Sequence, residues 1–561
     1  MSKRRITPPS FRTPNVRRQI LTFTISSNGE NLSSLLTVLK IQTFNSINSI
    51  PTAIVDFVDP DFELGQASEF LPGCEWEIKA GYQSNEEVIF KGIVLGHRCF
   101  PGENGNVFQV QLKDEVFKMN HEVNSKIFTE LSDKDIVEEL VGEYSVDMGS
   151  ISGMNLMHES LIQMNQTDWS FLLDRAKSNA CFVRVNCGEI LVAKVEQALK
   201  SKNDISFYDS ESYDLTIDAE YQSENVIGKV WIVQDQEMLE SSVKSKNKIQ
   251  MQMAKFMDSS EAKRANDPYL SEHELDQALE QELSENELQL VRGFIVQKGR
   301  ADLLPGTLVI LKSFGKYLSK EVFMSGVEHQ IEAGKWTIKI LVGLDPQEFR
   351  SENPSLEGLH IGLVTETAGG QDNNVKVKIP VVGMDSSGVW ARLSSAGAGN
   401  GKGILFRPDI GDEVIISFLG GSIQNPVILG GLNSSLNPSP VSDAEGEKVK
   451  GIFTKGGLKL VMDDDDECIE LITPEGNKVY ISEDDGLCLE DKEGNSIKLD
   501  SDGISISSQS DLNLSASGDI NLNGININAS ADSSANIFGD SGAELKSNAT
   551  TTVKGSLIQI N

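Results

Sequence analysis

The stretch that decides the fold of this chain is residues 504–527, ISISSQSDLNLSASGDINLNGINI. Two aliphatic residues separated by one polar residue recur in it every eight positions, as Ile504 and Ile506, Leu512 and Leu514, and Ile520 and Leu522. Side chains two apart on a strand share one face, and the Ser, Asn, Asp and Gly residues between the pairs suit solvated turns. The stretch therefore predicts a stack of short strands with one aliphatic face.

The aliphatic repeat continues through the rest of the sequence. After a shift, it runs through Ile525, Ile527, Ile537, Leu545 and Val553, and then Leu557, Ile558 and Ile560. No proline follows Pro474, as expected where nearly every backbone N–H enters a β-ladder. Between Gly456 and the octads, aliphatic pairs already recur at somewhat longer intervals. Residues 456–561 are therefore predicted to form a β-needle.

Such a needle can be built from one chain or from three. A single-chain solenoid with three faces needs roughly three octads per coil, so this repeat supplies fewer than the three or so repeats that a stable array needs. If three copies wind together, each aliphatic pair is buried against two partners, and the strand edges are hidden. We expect this homotrimer, a triple-stranded intertwined β-helix with an axis of Ile504, Ile506, Leu512, Leu514, Ile520, Leu522, Ile525, Ile527, Ile537, Leu545 and Val553.

Composition limits the classes of partner and compartment. A net charge of −33 argues against nucleic acid as a partner, because phosphate binding relies on Lys and Arg. The six cysteines show no pairing pattern, which favours production in a reducing cytoplasm. The basic N-terminal residues lack the apolar stretch of a signal peptide, and no run approaches the roughly 20 apolar residues of a membrane helix. We therefore expect a protein without a signal peptide.

The rest of the chain predicts a mainly β protein with several domains. Strand-like alternation with Gly-rich turns dominates, and helical spacing follows Ser132, follows Thr167 and runs from Leu275 to Leu288. The five short strands between 360 and 429 suit a closed barrel of the OB type. The predicted domains are a flexible basic arm (1–19), a first β-barrel (20–115), a helix-containing region (116–225), a charged helical insertion (226–292), a second β unit (293–350), the OB-fold barrel (351–435), a linker (436–455) and the needle (456–561).

From residue 20 onwards the chain resembles the VgrG-type spikes of contractile injection systems, which are similar to the fused hub and spike of contractile phage tails. The hub resemblance lies in Phe70–Gly73, Phe90–Val94 and Thr167–Leu173. The barrel and needle resemblance lies in Gly411–Val414, Pro426–Gly430, Gly476-Asn477, Gly494-Asn495 and the octads. The order of these passages carries the resemblance, because no single one is decisive.

The resemblance implies a trimer whose two hub barrels per chain form a ring of pseudo-sixfold symmetry. It further implies contacts with the first ring of tube protein and with the baseplate, a separate PAAR-like tip protein, and possible effector cargo. Assembly in the bacterial cytoplasm would precede ejection to the exterior or into the target cell, whose envelope is met transiently. The tip protein would sit on Leu557, Ile558 and Ile560, because an uncovered aliphatic strand end is a binding surface or a liability.

No arrangement of residues indicates catalysis, a metal or a cofactor. His121, His158 and His273 each precede a Glu, but none has the second His of a helical zinc-protease motif. The glycine-rich stretch 397–403 has Gly403 where a phosphate loop needs Ser or Thr, and the acidic stretch 463–467 is followed by Cys468 where a calcium loop needs Gly. We therefore expect no enzyme activity, no catalytic residues, no metal and no cofactor.

We accordingly predict a structural puncturing spike that also nucleates the tube of a bacterial contractile injection system and delivers cargo into target cells. Type VI secretion, an extracellular phage-tail-like particle and a contractile phage tail remain open alternatives. A trimeric receptor-binding fibre is the rival of another class, although it would normally carry an adhesive domain at its free end. A solenoid enzyme acting on polysaccharides would need paired carboxylates on one face, whereas Asp511, Asp519 and Asp540 are scattered.

Overall fold

The computed structural model describes residues 20–34, 36–103, 105–195, 199–200, 204–232, 235–256, 261–263, 270–345, 358–370, 373–384, 387–442 and 444–560. The predicted basic arm, residues 1–19, lies outside this part of the chain. Two compact units divide the molecule, Met1–Asn437 and Pro438–Asn561. No helix in the described residues is long and apolar enough to span a membrane.

The first hub unit is an antiparallel array with an aromatic core. Phe57, Phe70, Trp76 and Phe108 are buried and meet edge to face, with ring centroids 5.3–6.0 Å apart, an arrangement that aromatic rings favour. Alternate residues of each strand supply this core. The strands are β1 Leu21–Ser27, β2 Glu30–Asn31, β3 Val38–Ser46, β4 Thr52–Val58, β5 Glu75–Tyr82, β6 Asn85–Gly102 and β7 Gly105–Lys113.

Two capped helices follow in the next hub region. The side chains of Ser132 and Thr167 accept hydrogen bonds from backbone N–H groups in the first turns, and Ser132 forms a full capping box with Asp135. Both helices pack their apolar faces into cores shared with the surrounding strands. The elements are β8 Val123–Ser132, α1 Asp133–Gly142, β9 Asp147–Ile151, β10 Met157–Thr167, α2 Asp168–Ser178, β11 Cys181–Asn186 and β12 Glu189–Lys194.

The region predicted as a charged helical insertion contains a small sheet as well as helices. Helix α4 packs Leu275, Leu279 and Leu283 against Val226 and Val230 of the sheet. Gly228 lies beneath the helix, and a Cβ there would be only 2.8 Å from Leu275. The elements of this region and of the chain that precedes it are β13 Leu199–Lys200, β14 Ile205–Ser206, β15 Ser210–Ile217, β16 Asn225–Ile232, β17 Glu237–Lys244, α3 Lys248–Phe256, β18 Glu261–Lys263 and α4 Glu272–Gln289.

The second hub β unit joins the first in one sheet. Its strands are β19 Val291–Lys298, β20 Thr307–Lys312, β21 Glu321–Glu332 and β22 Lys335–Val342. Residues Gly326–Glu332 of β21 pair antiparallel with Ser46–Lys40 of β3, giving a 14-stranded sheet in the order β15-β19-β22-β21-β3-β4-β7-β6-β5-β1-β2, with β13, β14 and β20 attached through β21. In the described residues, strand pairing therefore does not close two separate hub barrels, because this seam hydrogen-bonds the two units together.

A closed five-stranded barrel follows the hub, in the order β23-β24-β25-β29-β28. The amide of Gln424 accepts a hydrogen bond from Ile162 N–H (3.1 Å) and donates one to the Ile162 carbonyl (3.2 Å). Ile162 and Met164 also join the barrel core, so the hub strand packs directly against the barrel. The barrel strands are β23 His360–Glu366, β24 Val375–Lys378, β25 Val389–Leu393, β28 Glu413–Phe418 and β29 Pro426–Leu432, and a separate two-stranded sheet consists of β26 Ala398–Gly399 and β27 Lys402–Gly403.

The C-terminal unit begins with a seven-stranded antiparallel meander, in which each strand pairs with the next along the chain. Its strands are β30 Val449–Phe453, β31 Lys459–Asp463, β32 Cys468–Ile472, β33 Lys478–Ser482, β34 Gly486–Glu490, β35 Ser496–Asp500 and β36 Gly503–Ser507. From Ser508 to Ile560 the chain has no strand pairing within itself. The octads of one copy therefore lack the ladder that the meander has.

Candidate functional site: the aliphatic face of the meander

One face of the meander is a continuous aliphatic surface. The strand register places aliphatic residues directly opposite one another across all seven strands, in the row Ile452, Leu460, Leu471, Val479, Leu489, Ile497 and Ile506. A second row two residues along the strands contains Met462, Ile469, Ile481, Leu487, Leu499 and Ile504. We call these 13 residues the aliphatic face.

The aliphatic face is open to solvent in a single copy. Ten of its members expose between 37% and 72% of their surface, and Ile504 is the most exposed. An apolar surface of this extent is a docking surface or an aggregation hazard in a folded protein. Contacts between aliphatic neighbours on adjacent strands stabilise the sheet itself, but they leave the outer surface of these side chains exposed to water.

The opposite face of the meander is polar. Its central row runs through Val461, Glu470, Tyr480, Cys488, Lys498 and Ser505. Lys478 donates a hydrogen bond to Glu470 across 2.6 Å, and this bond raises the pKa of Lys478. The meander is therefore amphipathic, with a solvated face and a face that needs a partner.

Stacked turns reinforce one edge of the meander. In the turns before Asn477 and Asn495, Gly476 and Gly494 adopt positive φ angles of 96° and 88°, which glycine tolerates best. Asn477 accepts a hydrogen bond from Lys492 N–H in the next turn on this edge, and Asn495 accepts one from Gln509 N–H. Each Asn thus fixes the turn that follows it on the same edge, and the series reaches the first residues of the octad segment.

The structure places the predicted axis residues in two different settings. Ile504 and Ile506 lie on β36 and belong to the aliphatic face. The other predicted axis residues, and the predicted tip seat of Leu557, Ile558 and Ile560, lie where one copy has no strand pairing, and they expose 49–101% of their surface. A single copy therefore brings Ile504 and Ile506 together with the aliphatic face and leaves the remaining residues apart.

The predicted axis omitted the eleven members of the aliphatic face that precede Ile504. Their signal is in the sequence, because each of the strands β31 to β35 carries two aliphatic residues separated by one residue. The role of the two Asn side chains had no such signal, since their partners lie 14 and 15 residues away.

The polar groups buried in the hub form structural networks. Asp133 is fully buried and accepts hydrogen bonds from Asn179 (2.6 Å) and the His158 ring (3.0 Å), while Arg175 lies 3.2 Å away. His329 is buried at the seam between the two hub β units, and burial lowers its pKa to about 4. It therefore stays neutral near pH 7 and accepts a hydrogen bond from the indole of Trp336.

Two family models match the chain. The Alg8 N-terminal domain matches residues 17–333, and the type VI secretion system/phage-baseplate injector OB domain matches residues 360–432. The first match covers more than half of the chain, and the second covers the closed barrel.

Individual relatives point to the same class of protein. The type VI secretion system spike protein VgrG4b of Pseudomonas aeruginosa is 38% identical over 58 residues, which are 10% of this chain and 7% of that protein. The half-lidded PdpA–VgrG complex of Francisella contains a chain similar in fold, with a TM-score of 0.54, 12% identity and coverage of 88% of each chain. The lidless PdpA–VgrG complex gives the same TM-score and identity, covering 84% of this chain and 98% of that one. The chain therefore belongs to the Alg8 N-terminal domain family, carries an injector OB domain, and is similar in fold to chains of the PdpA–VgrG complexes.

Proposed function

We propose that three copies of this chain form the puncturing spike of a contractile injection system, with their aliphatic faces and octads turned toward a common axis. The observation that carries this proposal is the aliphatic face itself, two registered rows exposed to solvent in one copy and followed by octads with the same pattern. A second and a third copy of the chain match this surface in length and in repeat period, because each copy carries the same two rows of aliphatic residues.

The free energy of burial favours this arrangement. Full burial of one large aliphatic side chain contributes about 1.5–3 kcal/mol, and each copy offers ten well-exposed members of the aliphatic face, eight of them before the first octad pair. Even partial burial exceeds the several kcal/mol that association costs in lost translational and rotational freedom. Closing three sheets around an axis also covers strand edges that would otherwise pair with other chains.

A closed trimeric needle would suit the mechanical task of a spike. Hydrogen-bonded ladders around an apolar centre resist bending, so work delivered by a contracting sheath reaches the tip. The hub would seat the first tube ring and contact the baseplate, while Leu557, Ile558 and Ile560 would bind a PAAR-like tip protein. We propose a non-enzymatic role in the delivery of cargo to target cells, with the spike itself ejected on contraction.

PdpA is the partner named with VgrG in the complexes of similar fold. By analogy, we propose that this chain also assembles with another protein of its own injection apparatus. The shared fold of the chains supports this step.

The mass of the purified full-length protein in solution tests the proposal. We expect light scattering to give three times the 61.3 kDa of one chain. A folded monomer at micromolar concentration would contradict the trimeric spike. A second experiment mixes the trimer with a PAAR-like protein encoded beside it and compares the L557D/I558D variant with the S556D control, and we expect binding to be lost only in the first.

A further inference from the structure

The first octads alone define the alignment of three chains weakly. Their aliphatic pairs begin at residues 504, 512 and 520, so a shift of one chain by eight residues places the pairs at 504 and 512 opposite the pairs at 512 and 520. A regular repeat of this kind specifies register weakly. The shift at Ile525 and Ile527 breaks this period only after three octads, so a needle that forms from the meander side needs another element to set its alignment at the start.

The aliphatic pairs of the meander are spaced irregularly throughout, whereas the first three octads are regular. Its aliphatic pairs begin at residues 460, 469, 479, 487, 497 and 504, so the intervals are 9, 10, 8, 10 and 7 residues. Its strands are hydrogen-bonded within one copy, and Asn477 and Asn495 tie successive turns together. The aliphatic face is therefore a preformed surface with a fixed shape.

We infer that the aliphatic face of the meander is the surface that binds the second and third copies and fixes their register. The octads of the three copies pair with one another only afterwards. This inference rests on the proposed trimer. The meander is ordered before association, so its contacts require little further loss of chain entropy. The octads gain partners only after the meanders meet, when the high effective concentration of neighbouring chains favours their pairing.

The hydrogen bond from Gln509 N–H to Asn495 marks the point at which pairing of the octads begins. It links the first turn after β36 to the edge of the preformed sheet, and the hydroxyl of Ser508 donates to the same Asn495 oxygen across 3.2 Å. The start of the octad segment is thus held in a defined position relative to the aliphatic face. Each following octad can then add to the one before it.

The test compares two double variants of the full-length chain by light scattering. We expect I469D/L471D, on the aliphatic face, to give the mass of one chain although its octads are unchanged. We expect I520D/L522D, in the octads, to remain a trimer in native buffer and to lose its resistance to sodium dodecyl sulfate and to protease after Ser507. The controls E470Q and N521D/N523D alter neighbouring residues of the opposite face, and we expect the mass of the unmodified protein for both.

The outcomes separate this inference from the proposed function. An unmodified protein that is monomeric would overturn both. A trimeric unmodified protein with a monomeric I520D/L522D variant, or a trimeric I469D/L471D variant, would overturn only the role of the meander. Tryptophan fluorescence checks that each variant is folded upstream, because all five tryptophans precede residue 391.

A disulfide tests the register directly. In aligned copies, the side chains introduced by Ile520→Cys meet near the axis, and we expect mild oxidation to join two copies through them, as identified by peptide mass spectrometry. A shift of eight residues would separate these thiols beyond the roughly 7 Å between Cα atoms that a disulfide allows. The Asn521→Cys control points outward and should not link. A trimer in which Ile520→Cys forms no such link would overturn the proposed alignment.

Discussion

Replacing Ile504 and Ile506 by Asp should convert the trimer into single chains. Both residues lie on β36, at the end of the aliphatic face, and expose 72% and 52% of their surface in one copy. Together this exposure equals slightly more than one whole side chain, so its burial contributes about 2–4 kcal/mol per copy and about 6–11 kcal/mol per trimer. The carboxylates add a further desolvation penalty of several kcal/mol each if they remain buried without partners.

This loss weakens association strongly. At about 1.4 kcal/mol for each factor of ten, the apolar contribution alone lowers the association constant roughly ten-thousand-fold or more. Light scattering across a concentration series measures the effect, and the I504D/I506D variant should give the mass of one chain where the unmodified protein gives three.

The matched control is S505D/S507D, which adds the same two charges to the other face of the same strand. Ser505 lies opposite Lys498, so an acidic residue there meets a favourable charge. We expect the control to keep the mass of the unmodified protein. A trimeric I504D/I506D variant, or a control that dissociates equally, would refute the assignment of the aliphatic face as the contact between copies.

Three further predictions concern the hub and the barrel. Burial lowers the pKa of His329 to about 4, so between pH 6.5 and pH 4 the unfolded chain binds a proton at this side chain and the folded chain does not. The free energy of unfolding of the hub should therefore be highest above pH 6.5 and fall by about 3 kcal/mol by pH 4. Urea unfolding followed by circular dichroism measures this slope, which His329→Gln should reduce; an equal slope in the variant would contradict it. Asp133→Ala should destabilise the hub by about 3–5 kcal/mol, because it leaves buried positive and polar partners without their acceptor. Asp135→Ala removes only an exposed cap and should lower the thermal unfolding temperature much less. Similar losses in the two variants would argue against the buried network. Gln424→Ala should lower the free energy of unfolding by about 1–3 kcal/mol, because two hydrogen bonds to Ile162 are lost. It should also speed proteolytic cleavage between barrel and hub, and unchanged cleavage would count against a role of Gln424 in holding the barrel on the hub.

The apolar spacing of the meander strands could be predicted from the sequence, because its signal is local. A pair such as Ile469 and Leu471 shows which face of a strand is apolar without knowledge of its neighbours. Helices α1 and α2 were equally accessible, since their caps and apolar spacing lie within a few residues. The VgrG-type family was also predicted correctly from short passages in a fixed order.

The rest depended on contacts between distant parts of the chain. The seam of the hub joins Ser46 to Gly326, and nothing near either residue indicates the other, so the pairing of the two hub β units in one sheet was not predicted. Strand β17 was missed because its alternation is weak, with mostly polar residues around Leu239 and Val243. Within the aliphatic face, the direct pairing of one strand with the next became visible only from the register.

The clamp between Gln424 and Ile162 determines how the barrel can move on the hub. A side-chain amide occupies both backbone groups of one residue, and that residue together with Met164 belongs to the barrel core. Tilting the barrel would break two hydrogen bonds and expose buried apolar surface at the same time. Strand β10 is therefore a point at which a compressive load on the barrel is transmitted to the hub.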